Sequence, residues 1–484
     1  MLYSNGRCLR RILSFAPLLL LLLTGCSHYS MHQVRLAFEG GRFEEALMQL
    51  DKVDAEKRKL PHLFERALTA HYANHFEESN QIFEQAEILA EDLYTKSISR
   101  EASSLLTSDN IRPYSGTRYE RFLVHYYRVL NYVYLNLLDD ALVECRRARR
   151  LLQHYVDEDP IYNFAGSAFL AYLSGILYEW TGDWNDAYIS YRWAEAGYQR
   201  YEKHLGISLP TDIGYALVRL ARWLGFNQEA ERYAQLYGEP PQYPLGSGEL
   251  ILIHESGFVP SKTEEELLFP IFKTDPFIHQ EEENEEEVWD FADTVVHRQN
   301  FEYDDAELEY LMRVAIPVCT SNRPRLMGFE MEVKFSGETD LQSKLGENLS
   351  HRLEVGNFQA LSVSVEDVEG AVLTTFDSEQ RVILLRTVVR AILKYLAFRR
   401  AEKADELVGG LVNFLNMATE VADTRSWETL PNQMFLVRMS LPAGMYNVTL
   451  SFLDMEGKRV RTETLSDAVI KTNGKTFLNY RTFE

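Results

Sequence analysis

Basic residues are outnumbered: 50 Lys and Arg stand against 72 Asp and Glu, a formal net charge of −22. Such a chain offers no global counterion-releasing surface, which argues against a nucleic-acid partner. Proline (15) and glycine (26) are sparse among 484 residues, which excludes a collagenous or Pro-rich fibre. The apolar run from Ile12 to Leu23 falls short of the roughly 20 residues that a membrane-spanning helix needs. Gly-x-Ser-x-Gly, His-Glu-x-x-His and Gly-x-x-x-x-Gly-Lys are all missing, so no catalytic or phosphate-binding phrase announces a reaction. What is present, 46% hydrophobic and 25% charged residues, belongs to a folded chain. Its length calls for two or three units.

The amino terminus indicates location. Arg7, Arg10 and Arg11 precede the apolar run, and small residues close it, which describes a secretory signal over residues 1–25. A short retained anchor is the alternative. Leu23-Thr24-Gly25-Cys26 resembles the lipobox of bacterial lipoproteins. That resemblance implies cleavage before Cys26, diacylglycerol on its sulfur and usually a further acyl chain on the new amine. Two or three chains make a durable anchor where one does not. Ser27, not Asp, follows the cysteine, which favours the outer membrane of a diderm bacterium. Of the remaining cysteines, Cys8 leaves with the signal. Cys145 and Cys319 are expected as buried thiols in separate units, with a disulfide as the alternative.

From residue 26 to about 240 one phrase recurs: a turn residue, an aromatic or apolar residue two positions on, an acidic or amide pair, then a small residue. Its copies begin at Gly41, Asn74, Asn136, Gly182 and Gly225 and end at Ala46, Ser79, Ala141, Ala187 and Ala230. This is the turn and second helix of a tetratricopeptide repeat. Gly or Asn reverses the chain, and the small residue lets the helices approach. Successive small residues stand 33, 62, 46 and 43 apart, so lengthened helices, insertions or one degenerate unit are expected.

Stacked helix pairs form a solenoid whose concave face is the usual contact surface for a protein partner. The candidate lining is Tyr126, Tyr127, Arg128, Asn131, Tyr134, Tyr172, Tyr178 and Glu179, with packing between helices as the competing role. His71 and His75 lie four apart but have no third ligand, so a surface pair is expected and no metal. The segment from Asp109 to Glu120 breaks the helical rhythm at Pro113 and Gly116, as a binding loop or a structural brace.

After Pro240 and Pro241 the pattern changes. Residues 241–310 read as a linker and strand segment, with a buried strand at Gly248–His254 and an acidic, solvated run from Glu281 to Asp293. Residues 311–484 read as a mixed α/β unit. Strands are expected at Ala315–Cys319, Phe329–Phe335, between Ala360 and Val365, and at Met434–Leu441, Tyr446–Leu453 and Thr476–Arg481. A helix is expected near Gln380–Ala404, with Arg386, Arg390 and Lys394 as a solvent-facing stripe or a match for acidic groups. The fold class is therefore α+β: an all-α solenoid followed by a mixed α/β module with antiparallel strands.

Asp423-Thr-Arg425-Ser-Trp427-Glu-Thr-Leu430-Pro431, with Pro442-Ala-Gly444, residues 163–179 and the Asp109 loop, resembles a bacterial tetratricopeptide-repeat lipoprotein family whose carboxy-terminal domain carries D-x-R-S-W-x-x-L-P. The resemblance covers nearly the whole mature chain and implies architecture, not a reaction. Asp423, Arg425 and Trp427 match the phrase, and an Asp–Arg pair bracing a buried Trp explains it structurally. The expectation is thus a non-enzymatic, lipid-anchored scaffold facing the periplasm. It needs no cofactor or small-molecule substrate and binds an envelope protein in envelope assembly or cell-wall control. A surface or secretion accessory and an envelope enzyme are the alternatives.

Overall fold

The computed structural model describes residues 31–53, 58–100, 113–158, 167–273, 275, 285–297, 307–336, 357–404 and 421–484. Cys26 and its leader, residues 109–112 and 163–166, and the acidic residues 281–284 lie outside them.

Five helical hairpins come first. They are α1 (Met31–Glu39) with α2 (Phe43–Leu50), α3 (Lys59–Tyr72) with α4 (Phe76–Arg100), α5 (Arg118–Tyr134) with α6 (Leu138–Glu158), α7 (Ser167–Thr181) with α8 (Trp184–Leu205), and α9 (Thr211–Trp223) with α10 (Asn227–Tyr237). Each turns at the first residue of the repeated phrase, and all five turn residues are left-handed: Gly41 (φ 66°), Asn74 (63°), Asn136 (58°), Gly182 (83°) and Gly225 (81°). Glycine and asparagine tolerate this region best, which is why they recur there. The small residues Ala46, Ser79, Ala141, Ala187 and Ala230 are all buried. At Gly197 a Cβ would come within 2.8 Å of the Ala168 Cβ, so α7 and α8 meet nearly backbone to backbone. The wide 62-residue spacing is taken up by the 25-residue α4, the connection after it and the 17-residue α5, with no further hairpin among the described residues.

The remainder builds a sandwich and a small satellite. One four-stranded sheet has the order β10 (Lys475–Thr482), β1 (Gly248–Ser256), β7 (Gln433–Leu441), β6 (Val363–Asp367). The other runs β5 (Asn357–Leu361), β4 (Phe329–Phe335), β8 (Gly444–Leu453), β9 (Arg459–Ile470). Pairing is antiparallel except β1 with β10. Thus β1, which the sequence placed in the 241–310 segment, lies at the centre of a sheet completed by strands from 311–484. Leu250, Leu252, Phe435 and Val437 face Met331, Val448, Leu450 and Phe452 across the sandwich. Ile251, Ile253, Leu436 and Phe477 join the core of the helical array. With both faces covered, β1 is continuously apolar in its middle rather than alternating.

The satellite is the hairpin of β2 (Lys262–Phe272) and β3 (Leu308–Cys319). It is covered by α11 (Glu285–His297) and α12 (Val368–Ala404) through Phe269, Met312, Val288, Phe291, Val389 and Ile392. From Glu285 the acidic run is therefore helical and anchored by apolar residues at helical spacing, not a solvated loop. The long helix starts a dozen residues before the expected point, at Val368, where the Asp367 carboxylate accepts the Gly370 N–H at 2.8 Å. Arg390 is buried on it, so the basic stripe is not a solvent-facing edge; Arg381 approaches Asp293 of α11 at 3.8 Å. Strands β2 and β9 escaped notice because their exposed halves are rich in charge and Thr rather than apolar alternation. Cys145 and Cys319 are free thiols, and burial pushes the Cys145 thiol up to about 12. Among the described residues, no helix is long and apolar enough to cross a membrane.

Candidate functional site

The inner surface of the array meets the first sheet, and the sequence-nominated residues converge there or between neighbouring repeats. Helix α5 begins with a capping box in which the Glu120 carboxylate accepts the Thr117 N–H at 2.7 Å, and this sets the phase of the helix. Its tyrosines then face Glu255 of β1. That buried carboxylate accepts hydrogen bonds from Tyr72 Oη (2.6 Å), Tyr127 Oη (3.0 Å), Tyr126 Oη (3.3 Å) and Asn479 Nδ2 (3.0 Å). Burial first, and then the Glu255 charge, hold the three phenols well above their ordinary pKa, so they remain donors.

A second cluster lies further along. Arg438 of β7 donates to Glu249 at 2.9 Å, to Tyr191 Oη at 2.9 Å and to Glu179. Lys475 reaches Glu249 and lies 3.7 Å from Glu179, and Arg219 reaches Glu179 at 2.8 Å. Burial opposes ionisation of Glu179, yet Arg438, Lys475 and Arg219 outweigh it and hold this carboxyl well below the carboxylate range. Nearby, Tyr198 donates to the Val365 carbonyl at 3.0 Å and Tyr201 to Glu366 at 3.0 Å.

The Asp423–Pro431 phrase forms the third contact. Arg425 grips Asp423 with two bonds of 2.8 Å and lies over the Tyr114 ring at 5.2 Å. Trp427, 1% exposed, stacks on Phe64 at 4.8 Å, with Phe83 and Tyr127 beside it. Its backbone N–H donates to Glu120 at 2.7 Å, and Tyr114 Oη donates to the same carboxylate at 2.6 Å. Glu65 accepts the Glu428 N–H at 2.6 Å and the Thr429 hydroxyl, while Arg58 holds Glu428 at 2.7 Å. The described part of the Asp109 loop therefore acts as a brace.

This placement corrects the expectation of an open partner-binding groove. Tyr126, Tyr127 and Glu179 engage the chain's own sheet. Tyr172 is buried and donates to Asp212 at 3.5 Å. Asn131 Nδ2 donates to Ser79 and Asn80 at 2.9 Å, and its Oδ1 accepts from His71 Nδ1 at 2.6 Å, joining adjacent repeats. Arg128 pairs with Glu87 (2.8 Å) and Glu144 (3.1 Å). Tyr134 is half-buried against Phe76, and Tyr178 is buried beside Arg146. His71 is a core residue, not half of a surface pair; His75 lies 3.0 Å from Glu44. Among the described residues, no group of three or more His, Cys, Asp or Glu side chains is placed to hold a metal ion.

Glu255, Glu249 and Arg438 were missed as a site. Their signal was charge at isolated positions inside strands that otherwise read as apolar, which in a buried strand demands a partner.

No family model and no curated protein matches the chain. Solved structures that it resembles include MamA 41-end from Desulfovibrio magneticus RS-1, at 13% identity, covering 42% of this chain and 88% of that one with a TM-score of 0.25. Aspartyl phosphate phosphatase F from Bacillus subtilis matches at 13% identity over 42% of this chain and 47% of its own, TM-score 0.29. The Rap conjugation gene regulator of the plasmid pLS20, in complex with the Phr* peptide, matches at 15% over 42% and 50%, TM-score 0.25. Likeness this faint carries no argument about partner or activity.

Proposed function

We propose that this chain is a lipid-tethered scaffold of the bacterial envelope, held at the outer membrane through Cys26, which binds a protein partner in envelope assembly or control of cell-wall synthesis. The Leu23–Cys26 phrase supports the tether. The observation that carries partner binding is an aromatic edge at the turns of the last two hairpins. Trp223 is 71% exposed and lies 6.0 Å from Trp184 (40% exposed), and Phe226 (44%) lies beside Tyr188. Large apolar side chains left together in water mark contact surfaces, and Trp is enriched where partners anchor. The edge carries both signs, with Asp183, Asp186 and Glu229 beside Arg192 and Arg222, so it lacks the basic cluster that an anionic lipid surface would attract.

The test is photo-crosslinking in living cells from Trp223 and Trp184, with Met455, exposed in the β8–β9 turn, as the control position. A discrete protein adduct from the Trp positions and none from Met455 is expected. Equal labelling from all three, or lipid adducts alone, overturns the reading. Mass analysis of the processed protein tests the tether, and an unmodified Cys26 sulfur refutes it.

A further inference from the structure

Strand β10 pairs with β1 along one edge only, among the described residues. The Gly474 and Thr482 carbonyls accept from Glu249 and Gly257, so the even-numbered positions of β10 turn their backbone groups toward β1. By alternation, Lys475, Phe477, Asn479 and Arg481 present N–H and C=O to the other side. Chains commonly protect such an edge with proline, a bulge or a very short strand. The opposite edge of this sheet follows that rule, since β6 has five residues and a register shift. β10 has eight residues, no proline and no bulge, and its only protection of this kind is the charge of Lys475 and Arg481.

The free edge does not face open solvent. It forms one wall of a cavity of about 730 Å³ whose other wall is the turn end of the first hairpins, with Phe43, Tyr72, Phe76 and Tyr134. The groove's charge is also specific. Glu39 in its lining is paired with Arg35 at 3.7 Å, and Arg461 with Glu463 at 2.7 Å and Glu484 at 3.2 Å. Arg481 instead donates to the carbonyls of Gly257 and Thr429, and among the described residues it makes no ion pair. Its guanidinium lies over the rings of Tyr72 (5.8 Å), Phe258 (5.4 Å) and Phe483 (5.2 Å). Among the described residues the groove thus combines a row of unused backbone donors and acceptors, an aromatic wall and a cation held by carbonyls and rings rather than by a carboxylate.

We propose that an extended, acidic segment of a partner protein lies in this groove as an added strand on β10. Main-chain bonds to the odd-numbered residues supply register-fixed affinity, and alternate side chains supply selectivity. The aromatic wall takes apolar side chains, and a carboxylate of the segment complements Arg481. The inference deepens the scaffold reading by naming the form of the partner. It rests on β10 and not on Trp184 or Trp223, so loss of the crosslink at those residues and failure of the experiment below are separate results.

The experiment selects peptides from a displayed library of random extended sequences against the full mature chain, then measures synthetic copies. Selected peptides are expected to alternate apolar residues and to carry an Asp or Glu whose change to Asn or Gln weakens binding about fivefold or more. Hydrogen exchange across residues 475–482 should slow about tenfold or more on binding, as newly bonded edge amides become protected. Asn479→Pro and Asn479→Ala both give up the Nδ2 bond to Glu255, and the proline alone also removes an edge N–H that the β1 pairing does not use, so it should bind about tenfold or more weakly than the alanine variant. Peptides indifferent to their acidic residue, unchanged exchange in the wild-type chain, or equal binding to both variants overturn the proposal. So does concentration-dependent protection of 475–482 without peptide, which assigns the edge to a second copy.

Discussion

Replacing Trp427 by alanine tests whether the Asp423–Pro431 phrase clamps the two halves together. The side chain is 1% exposed, stacked at 18° on Phe64 and bordered by Phe83 and Tyr127. Truncating a buried Trp to Ala costs about 3–5 kcal/mol through lost transfer energy and the cavity left behind. The indole Nε1 makes no hydrogen bond among the described residues, however. Burying an unpaired N–H already costs about 1–3 kcal/mol, and either variant recovers it. The net loss for Trp427→Ala is therefore about 2 kcal/mol, whereas Trp427→Phe keeps a ring on Phe64 and should fall within about 1 kcal/mol of wild type. In equilibrium urea unfolding, Trp427→Ala should move the midpoint by about 0.7 M at a slope of about 3 kcal/mol per M. Amide exchange in residues 421–432 should rise in the same variant. If Trp427→Ala shifts nothing, the phrase is not a clamp. If Trp427→Phe is as damaging as Trp427→Ala, the argument about the unpaired indole fails.

The same clamp should depend on pH through Glu65, whose carboxyl is pushed up to about 8 by burial first and by the neighbouring Glu428 charge second. The folded chain then holds a proton that the unfolded chain has lost, so the contribution is complete below about pH 4.5 and declines as pH rises through about 8. Glu65→Gln should flatten the stability profile between those limits; parallel profiles for the two proteins refute the assignment. Arg438→Ala leaves Glu249 facing Lys475, and Glu179 facing Lys475 and Arg219, and should cost about 3–5 kcal/mol in thermal or urea unfolding, with a loss below about 1 kcal/mol contradicting the cluster's role. At Gly225 a Cβ meets nothing within 4 Å, so Gly225→Ala isolates backbone strain at φ 81° and should cost about 1–2 kcal/mol. An unchanged melting curve would mean that the turn can relax out of the left-handed region.

Five hairpin turns, their small residues and the position of most strands were legible in the chain because each depends on local chemistry. A left-handed turn selects Gly or Asn at one position, and a close helix contact selects Ala or Ser a few residues later. The buried Gly248–His254 strand was legible because burial on both faces removes polar alternation. The acidic run beginning at Glu281 misled because its charge was conspicuous, while the apolar face of α11 at Val288, Phe291, Ala292 and Val295 only acquires meaning once a hairpin lies against it.

The occupant of the array's inner surface was set by tertiary structure. Tyr126 and Tyr127 look alike whether they await a peptide or cap a carboxylate of the same chain, since a phenol presents the same apolar body and polar tip to either. Glu255 lies more than a hundred residues beyond them, and Trp427 still further from Phe64, at separations that no periodicity encodes. Local sequence determined the five hairpin turns and most of the elements. Which faces stayed uncovered among the described residues followed only when the sheet, docking on the helices, satisfied those polar groups and left the outer edge of β10 and the Trp184–Trp223 edge at the surface.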